Sequence, residues 1–300
     1  MTQKRVILRL KGGLGNQLFQ YATARSIAHK NDAQLWLDTF TGYRSDPFRR
    51  TFRLNHFAIC ADLLPESECF LRLRQSRVVR KLRSYRERCY MRWLGRAFDP
   101  FTYTLKVNRD AVMLEGFWQS EAYFRNVADL LRRELSLKCE LSTETARLAD
   151  IIRARNSVAV HVRRLHGVSA GGEKVSGRFG GAAAQVSQHD YYREAIKLIE
   201  SHRDGVCAFV FADSPEWARE NVRFECPTTY VTHNGPNRDY EDLFLMSVCR
   251  DHIIANSSFS WWGAWLGQHS DKLVCAPKNF SPYKGMRPLR DVYPATWIVV

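Results

Sequence analysis

The stretch HIIANSSFSWWGAWL, residues 252–266, constrains this chain more than any other. A short apolar run, Ile253 to Ala255, breaks into Asn256, Ser257 and Ser258, and Phe259, Ser260, Trp261 and Trp262 then open a helix. The order strand, polar turn, helix N-terminus is that of an α/β layer. It aims backbone N–H groups and the positive end of the helix dipole at one spot, beside hydroxyls, and so suits an anion such as phosphate or pyrophosphate. The purely structural alternative is an N-cap followed by tryptophans packed in a core.

The rest of the chain repeats the alternation. Val6 to Leu10 reads as a strand, KGGLGNQ (11–17) as a glycine loop, the residues up to Lys30 as a helix and Gln34 to Leu37 as a second strand, together a βαβ unit. Residues 48–96 read as mainly helical, Val112 to Trp118 as a returning strand, and 129–137 and 142–155 as helices, the second opened by Ser142. A second α/β set follows, with strands at 157–162, 208–212 and 252–255 and helices at 190–201, 215–222 and 240–249. With 300 residues, two domains meeting near 150–156 are expected. Residues 165–188, rich in Gly, Ala and Ser, read as a loop after a strand, the usual place for a lid.

Eight scattered cysteines, at 60, 69, 89, 139, 207, 226, 249 and 275, form no C-x-x-C pair and no His/Cys cluster at zinc spacing, so reduced thiols and no metal site are expected. The apolar run at 6–8 is too short for a signal-peptide core and nothing approaches a membrane span, which predicts a cytoplasmic protein. The net charge of +14 is concentrated: between Arg72 and Arg96 ten basic residues stand against Glu87 alone. Apolar positions at 71, 78, 82, 85 and 89 give that stretch one helical face. A solvated face, peripheral contact with an anionic membrane and nucleic-acid binding all fit such a helix, although no nucleic-acid motif supports the last.

Four clusters carry chemistry. Gly13, Gly15 and Asp38 suggest a dinucleotide fingerprint, but the third glycine is missing and Asn16 and Gln17 hold the turn, with amides able to bond sugar hydroxyls or phosphate. A merely structural turn fits the glycines equally. In HVRR (161–164), alternation sets His161 and Arg163 on one side of a strand's C-terminal end, where open α/β sheets bind ligands, and Arg163 suits bidentate phosphate contact or a structural carboxylate. In FVFADSPEW (209–217), Asp213 reads as a ligand contact or as part of a helix cap before Pro215. In YEDLFLMSVC (240–249), Glu241 and Asp242 favour the helix dipole, and a carboxylate there could also accept two hydrogen bonds from a guanine edge.

Taken in order, GGLGNQLFQYA (12–22), HVRR (161–164), FADSPEWARENV (211–222) and YEDLFLMSVCRDHIIANSSFSWWGAWL (240–266) closely resemble the bacterial α-1,2-fucosyltransferases of glycosyltransferase family 11. The resemblance implies a GT-B type α/β fold, two Rossmann-like domains facing a cleft. It makes 1–153 the acceptor-side domain and 154–300 the GDP-fucose-binding domain. It implies inverting transfer of L-fucose from GDP-β-L-fucose to the 2-hydroxyl of a terminal galactose in an oligosaccharide or lipid-linked surface glycan, without a required metal or other cofactor; the alternatives are a GDP-sugar transferase of different linkage and a glycan- or nucleotide-binding protein without turnover. His161 and Arg163 would hold the diphosphate with Arg164 in support, Asp242 the guanine, and Ser257, Ser258 and Phe259 would line the nucleotide, with Asp213 a candidate donor contact from its place at a strand end. Gly13, Gly15, Asn16 and Gln17 would reach the reaction centre from the other domain. Where the family commonly reads HxRRGD, this chain reads HVRRLH, so Leu165 stands for the glycine and His166 for the acid. His166 has the right ordinary pKa for a general base, but phosphate could equally take the proton.

Overall fold

The computed structural model describes residues 3–44, 46–69, 107, 110–163, 188–278, 280 and 291–300. Arg164, Leu165, His166, most of the 165–188 loop and the basic 72–96 stretch lie outside the described residues. The chain divides into two compact units, Met1–Ser136 and Leu137–Val300.

In the first unit, β1 (Arg5–Arg9), α1 (Leu14–Lys30) and β2 (Gln34–Asp38) form the expected βαβ, and β3 (Asp62–Leu63) and β4 (Ala111–Leu114) complete an all-parallel sheet in the order β3-β2-β1-β4. α1 is buried along most of its length, with Leu18, Phe19, Tyr21 and Ala22 fully inaccessible. Gly42 permits the tightest backbone approach: a Cβ there would stand 1.9 Å from Leu10 O.

The helix expected over residues 48–69 is absent, replaced by single turns at 54–56 and 66–68 and by β3. Gln17 accounts for part of this difference. Its Nε2 donates to Thr51 O (2.8 Å) and Gly12 O (2.9 Å), and its Oε1 accepts from Arg53 N (2.9 Å). The side-chain amide thus acts as a strand partner for 51–53 and claims backbone groups that a helix would need. After a short helix α2 (Ala128–Glu134), the division between units falls at Ser136, earlier than expected.

The second unit opens with α3 (Thr143–Arg153), capped by Ser142 Oγ accepting from Thr145 N. Then follow β5 (Asn156–Val162), α4 (Gln188–Glu200), β6 (Val206–Ala212), α5 (Pro215–Asn221), β7 (Thr228–Val231), α6 (Asp239–Val248), β8 (Asp251–Ile253), α7 (Ser258–Leu266), β9 (Val274–Ala276) and β10 (Ile298–Val299). The helix α3 belongs to this unit because Ala149 and Ile152 pack with Leu245 and Met246 of α6. The six strands are parallel in the order β7-β6-β5-β8-β9-β10. Relative to the first strand of the set this is 3-2-1-4-5-6, the doubly wound dinucleotide-fold order, whose chain reversal falls between β5 and β8.

Strand alternation sorts the two faces. Val158, Val160 and Val162 join Tyr192, Ala195 and Ile199 on one side of β5. Ala159, Phe209 and Phe211 join α3 and α6 on the other. Trp261 and Trp262 are fully buried and Trp265 nearly so, with Trp261 Nε1 donating to Val292 O (2.8 Å) and the Trp261 and Trp265 rings stacked. The three tryptophans are core residues.

Candidate functional site

In an open parallel sheet the two loops at a chain reversal diverge and leave a crevice beyond the strand C-termini. In the second unit that crevice is flanked by Arg163, which follows β5, and by the 254–257 turn after β8. His161 is the penultimate residue of β5, 4% exposed, with its backbone oxygen accepting from Tyr192 Oη at 2.8 Å. Its ring lies 5.7 Å from that of Phe259 in the first turn of α7. Nδ1 is buried with no hydrogen-bond partner among the described residues. Burial, aided by the Arg163 charge, drives the imidazole pKa down to about 3. His161 is therefore neutral near pH 7 and can offer a ligand an N–H but no charge.

The charge comes from Arg163. Val162 and Ala212 are register partners in neighbouring strands, so residues 163 and 213 leave the sheet side by side. Arg163 Nε and Asp213 Oδ2 stand 3.4 Å apart, with side chains 40% and 25% exposed. Both readings of Asp213 are thereby narrowed: it pairs with Arg163, and Ser214, the residue before Pro215 and the start of α5, makes no side-chain cap bond. Both side chains are partly exposed, so the pair stays in reach of water at the mouth of the crevice.

The turn after β8 is built as a helix start. Ser257 Oγ accepts from Phe259 N (3.3 Å), and Ser260 Oγ accepts from Ala255 N (3.2 Å). Ser257 thus serves as the cap of α7, while Ser258 and Phe259 remain partly exposed in its first turn.

Asp242 and Glu241 are adjacent in α6 but differ in environment. Glu241 is fully buried; burial alone would raise its pKa, but hydrogen bonds from Thr145, Arg238 and Ser142 outweigh it and hold the carboxyl below the ordinary range. Ser142 Oγ donates to Glu241 Oε2 (2.8 Å), so this carboxylate ties α3 to α6. Asp242 receives one bond, from Asn234 Nδ2 (2.9 Å). Desolvation dominates there, with the Asp239 and Glu241 charges adding to it, and pushes its pKa up to about 7 despite the Asn234 bond. Asn234 in turn accepts from Thr145 Oγ1 (3.4 Å), which lies 2.9 Å from His233 Nε2. One carboxylate is structural and its neighbour is poised for a partner, a division that helix position alone did not reveal.

In the first unit the glycine loop divides its work. Gly12 takes the positive φ (+82°), Gly13 caps α1, and Gly15 is buried in the first helical turn. Gln17 is fully buried with its amide spent on backbone, so it holds the loop and does not reach a ligand. Asn16 stays partly exposed and accepts from Gln119 Nε2 (2.9 Å). Asp38, the acid of the apparent dinucleotide fingerprint, is fully buried and accepts from Phe40 N (3.1 Å), Thr41 N (2.9 Å) and the Thr41 hydroxyl. Those bonds close its own turn and leave nothing for a ribose, which removes the physical basis of a dinucleotide reading for this half. Among the described residues, no helix is long and apolar enough to cross a membrane.

Comparison with known proteins places these features. The crystal structure of fucosyltransferase NodZ from Bradyrhizobium shares the fold, with a TM-score of 0.54 at 17% identity over 88% of this chain and 92% of that one. An alpha-1,2-colitosyltransferase of Escherichia coli is 30% identical over 98% of both chains. Human galactoside alpha-(1,2)-fucosyltransferase 1 is 25% identical over 85% of this chain and 63% of its own length. The sequence model of glycosyl transferase family 11 matches residues 5–300, and the chain therefore belongs to glycosyltransferase family 11.

Proposed function

We propose that the protein transfers L-fucose from GDP-β-L-fucose, with inversion, to the 2-hydroxyl of a terminal galactose, forming an α-1,2 linkage on a surface glycan. The observation that carries this reading is the Arg163 guanidinium beside neutral His161 at the chain reversal of the second sheet, facing the same crevice as the start of α7. As the bond from the sugar anomeric carbon to GDP breaks, negative charge grows on the β-phosphate. Donors fixed in advance at that point lower the barrier. Arg163 supplies a charge and a planar pair of donors, and His161 an uncharged N–H, so the leaving group is stabilised without a metal. Asp242, with Asn234 beside it, takes the guanine edge, and Ser258 and Phe259 line the nucleotide. In the GT-B arrangement, the second unit carries donor and the first carries acceptor.

The named relatives leave two donors to decide between, fucose and its 3-deoxy counterpart colitose, because the E. coli relative is a colitosyltransferase. Purified protein incubated with GDP-fucose or GDP-colitose and lactose, with GDP release followed and product linkage read by NMR, discriminates them. We expect fucose transfer to the galactose 2-hydroxyl, undiminished by EDTA. Transfer from GDP-colitose alone, or loss of activity in EDTA restored by Mg²⁺, would overturn the corresponding part of the reading.

A further inference from the structure

The first sheet has its own chain reversal, between β1 and β4, and there the glycine loop meets residues 115–119, which no motif had marked. β1 and β4 run in register, Leu8 opposite Leu114, so the residues that leave them, Lys11 and Glu115, meet although 104 positions apart. Lys11 Nζ lies 2.7 Å from Glu115 Oε1, Arg9 Nη1 lies 3.1 Å from Oε2, and Lys11 stands 5.0 Å over the Phe117 ring. Residues 115–119 form a short shelf pinned at both ends to the glycine loop, by Glu115 to Lys11 and by Gln119 to Asn16. Every residue of the shelf is partly exposed. Trp118 sits at φ +34°, a conformation a large residue rarely adopts. Its indole lies so close to Gly116 that a Cβ there would be 2.7 Å from the ring. The tight turn fixes the orientation of the indole.

Partly exposed aromatics beside a carboxylate and an ammonium at a strand C-terminal edge suit a ligand with an apolar C–H face and a rim of hydroxyls, which is a pyranose. We propose that the 115–119 shelf is the acceptor platform, with Trp118 and Phe117 stacking one face of the acceptor sugar and Glu115, oriented by Lys11, accepting from its hydroxyls. This rests on the glycosyltransferase reading and adds the residues that choose the acceptor. Glu115, Phe117 and Trp118 bind substrate here, Lys11 positions Glu115, and Gly116 lets the Trp118 indole approach the backbone.

The test uses full-length protein without donor. Saturation-transfer NMR with lactose, N-acetyllactosamine and methyl β-galactoside should show transfer to at least one sugar in the wild type. In Glu115→Gln and in Trp118→Ala the Kd of that sugar should rise about tenfold or more, while the Kd for GDP stays within twofold and the melting temperature of Glu115→Gln is near wild type. No saturation transfer to any of the three sugars, or equal sugar affinity in the folded Glu115→Gln variant, overturns the platform. Because GDP binding is measured separately on each protein, failure of the donor reading, seen as no GDP affinity in the wild type, is distinguishable from failure of the platform.

Discussion

If Asp242 receives the guanine edge, its raised pKa makes nucleotide binding depend on pH in a defined sense. A carboxyl accepting from guanine N1–H and the 2-amino group must be ionised, yet in the free protein desolvation holds its pKa at about 7. Binding therefore costs a deprotonation below that pH, and the apparent Kd scales as 1 + 10^(pKa − pH). This gives a factor of about 11 at pH 6 and about 1.1 at pH 8, so affinity improves about tenfold across the interval. Stability runs the other way. The folded pKa lies above the unfolded value, so Asp242 contributes stability below about pH 4 that is lost as pH rises to 7, at most roughly 4 kcal/mol. Asp242→Asn should abolish the pH dependence, weaken binding at pH 8, and raise the melting temperature there. The assay is calorimetry with GDP-fucose, whose phosphates are both esterified and do not titrate near neutrality, in buffers of different ionisation enthalpy to count the proton released. A wild-type Kd that is flat between pH 6 and 8, or that improves toward acid, refutes the reasoning.

Arg163→Ala should lower kcat by about 10²–10³, as for other lost donors to a developing anion, with a smaller effect on folding, because both members of the Arg163–Asp213 pair are partly exposed; single-turnover rates and urea unfolding check both halves. Gly42→Ala should destabilise by about 3 kcal/mol or more, since the new Cβ meets a backbone oxygen at 1.9 Å that no side-chain rotation relieves; an unchanged urea midpoint would contradict it. The basic stretch 72–96 should confer salt-sensitive flotation with anionic liposomes, and equal recovery with neutral vesicles would count against membrane contact.

The strands and helices of the two α/β sets were legible because each writes a local period into the sequence, and α3 even announced its cap at Ser142. His161 and Arg163 were placed on one side of a strand end by alternation, and His161 indeed lies opposite the Val158, Val160 and Val162 face. A structural carboxylate for Arg163 was an open alternative, and that its partner is Asp213 was decided only by which strand lies next to β5. β7, β9 and β10 are strands of two to four residues, too short to write a period. The 48–69 region was misread because its conformation is held partly by Gln17, a residue more than thirty positions away that looked from sequence like a ligand contact.

By itself the sequence determined which segments are apolar with period two or 3.6, where turns break them, and which cationic and amide side chains stand at their ends, since those properties depend on residues a few positions apart. Strand order could not be read in that way. Tertiary structure alone decided that β5 lies beside β8 and β1 beside β4, which opens a crevice at each reversal. It brought Lys11 to Glu115 across 104 residues and gave Glu241 and Asp242, adjacent in sequence, opposite electrostatic surroundings. Burial and long-range hydrogen bonding are properties of the packed chain, and the sequence carries them only through the fold.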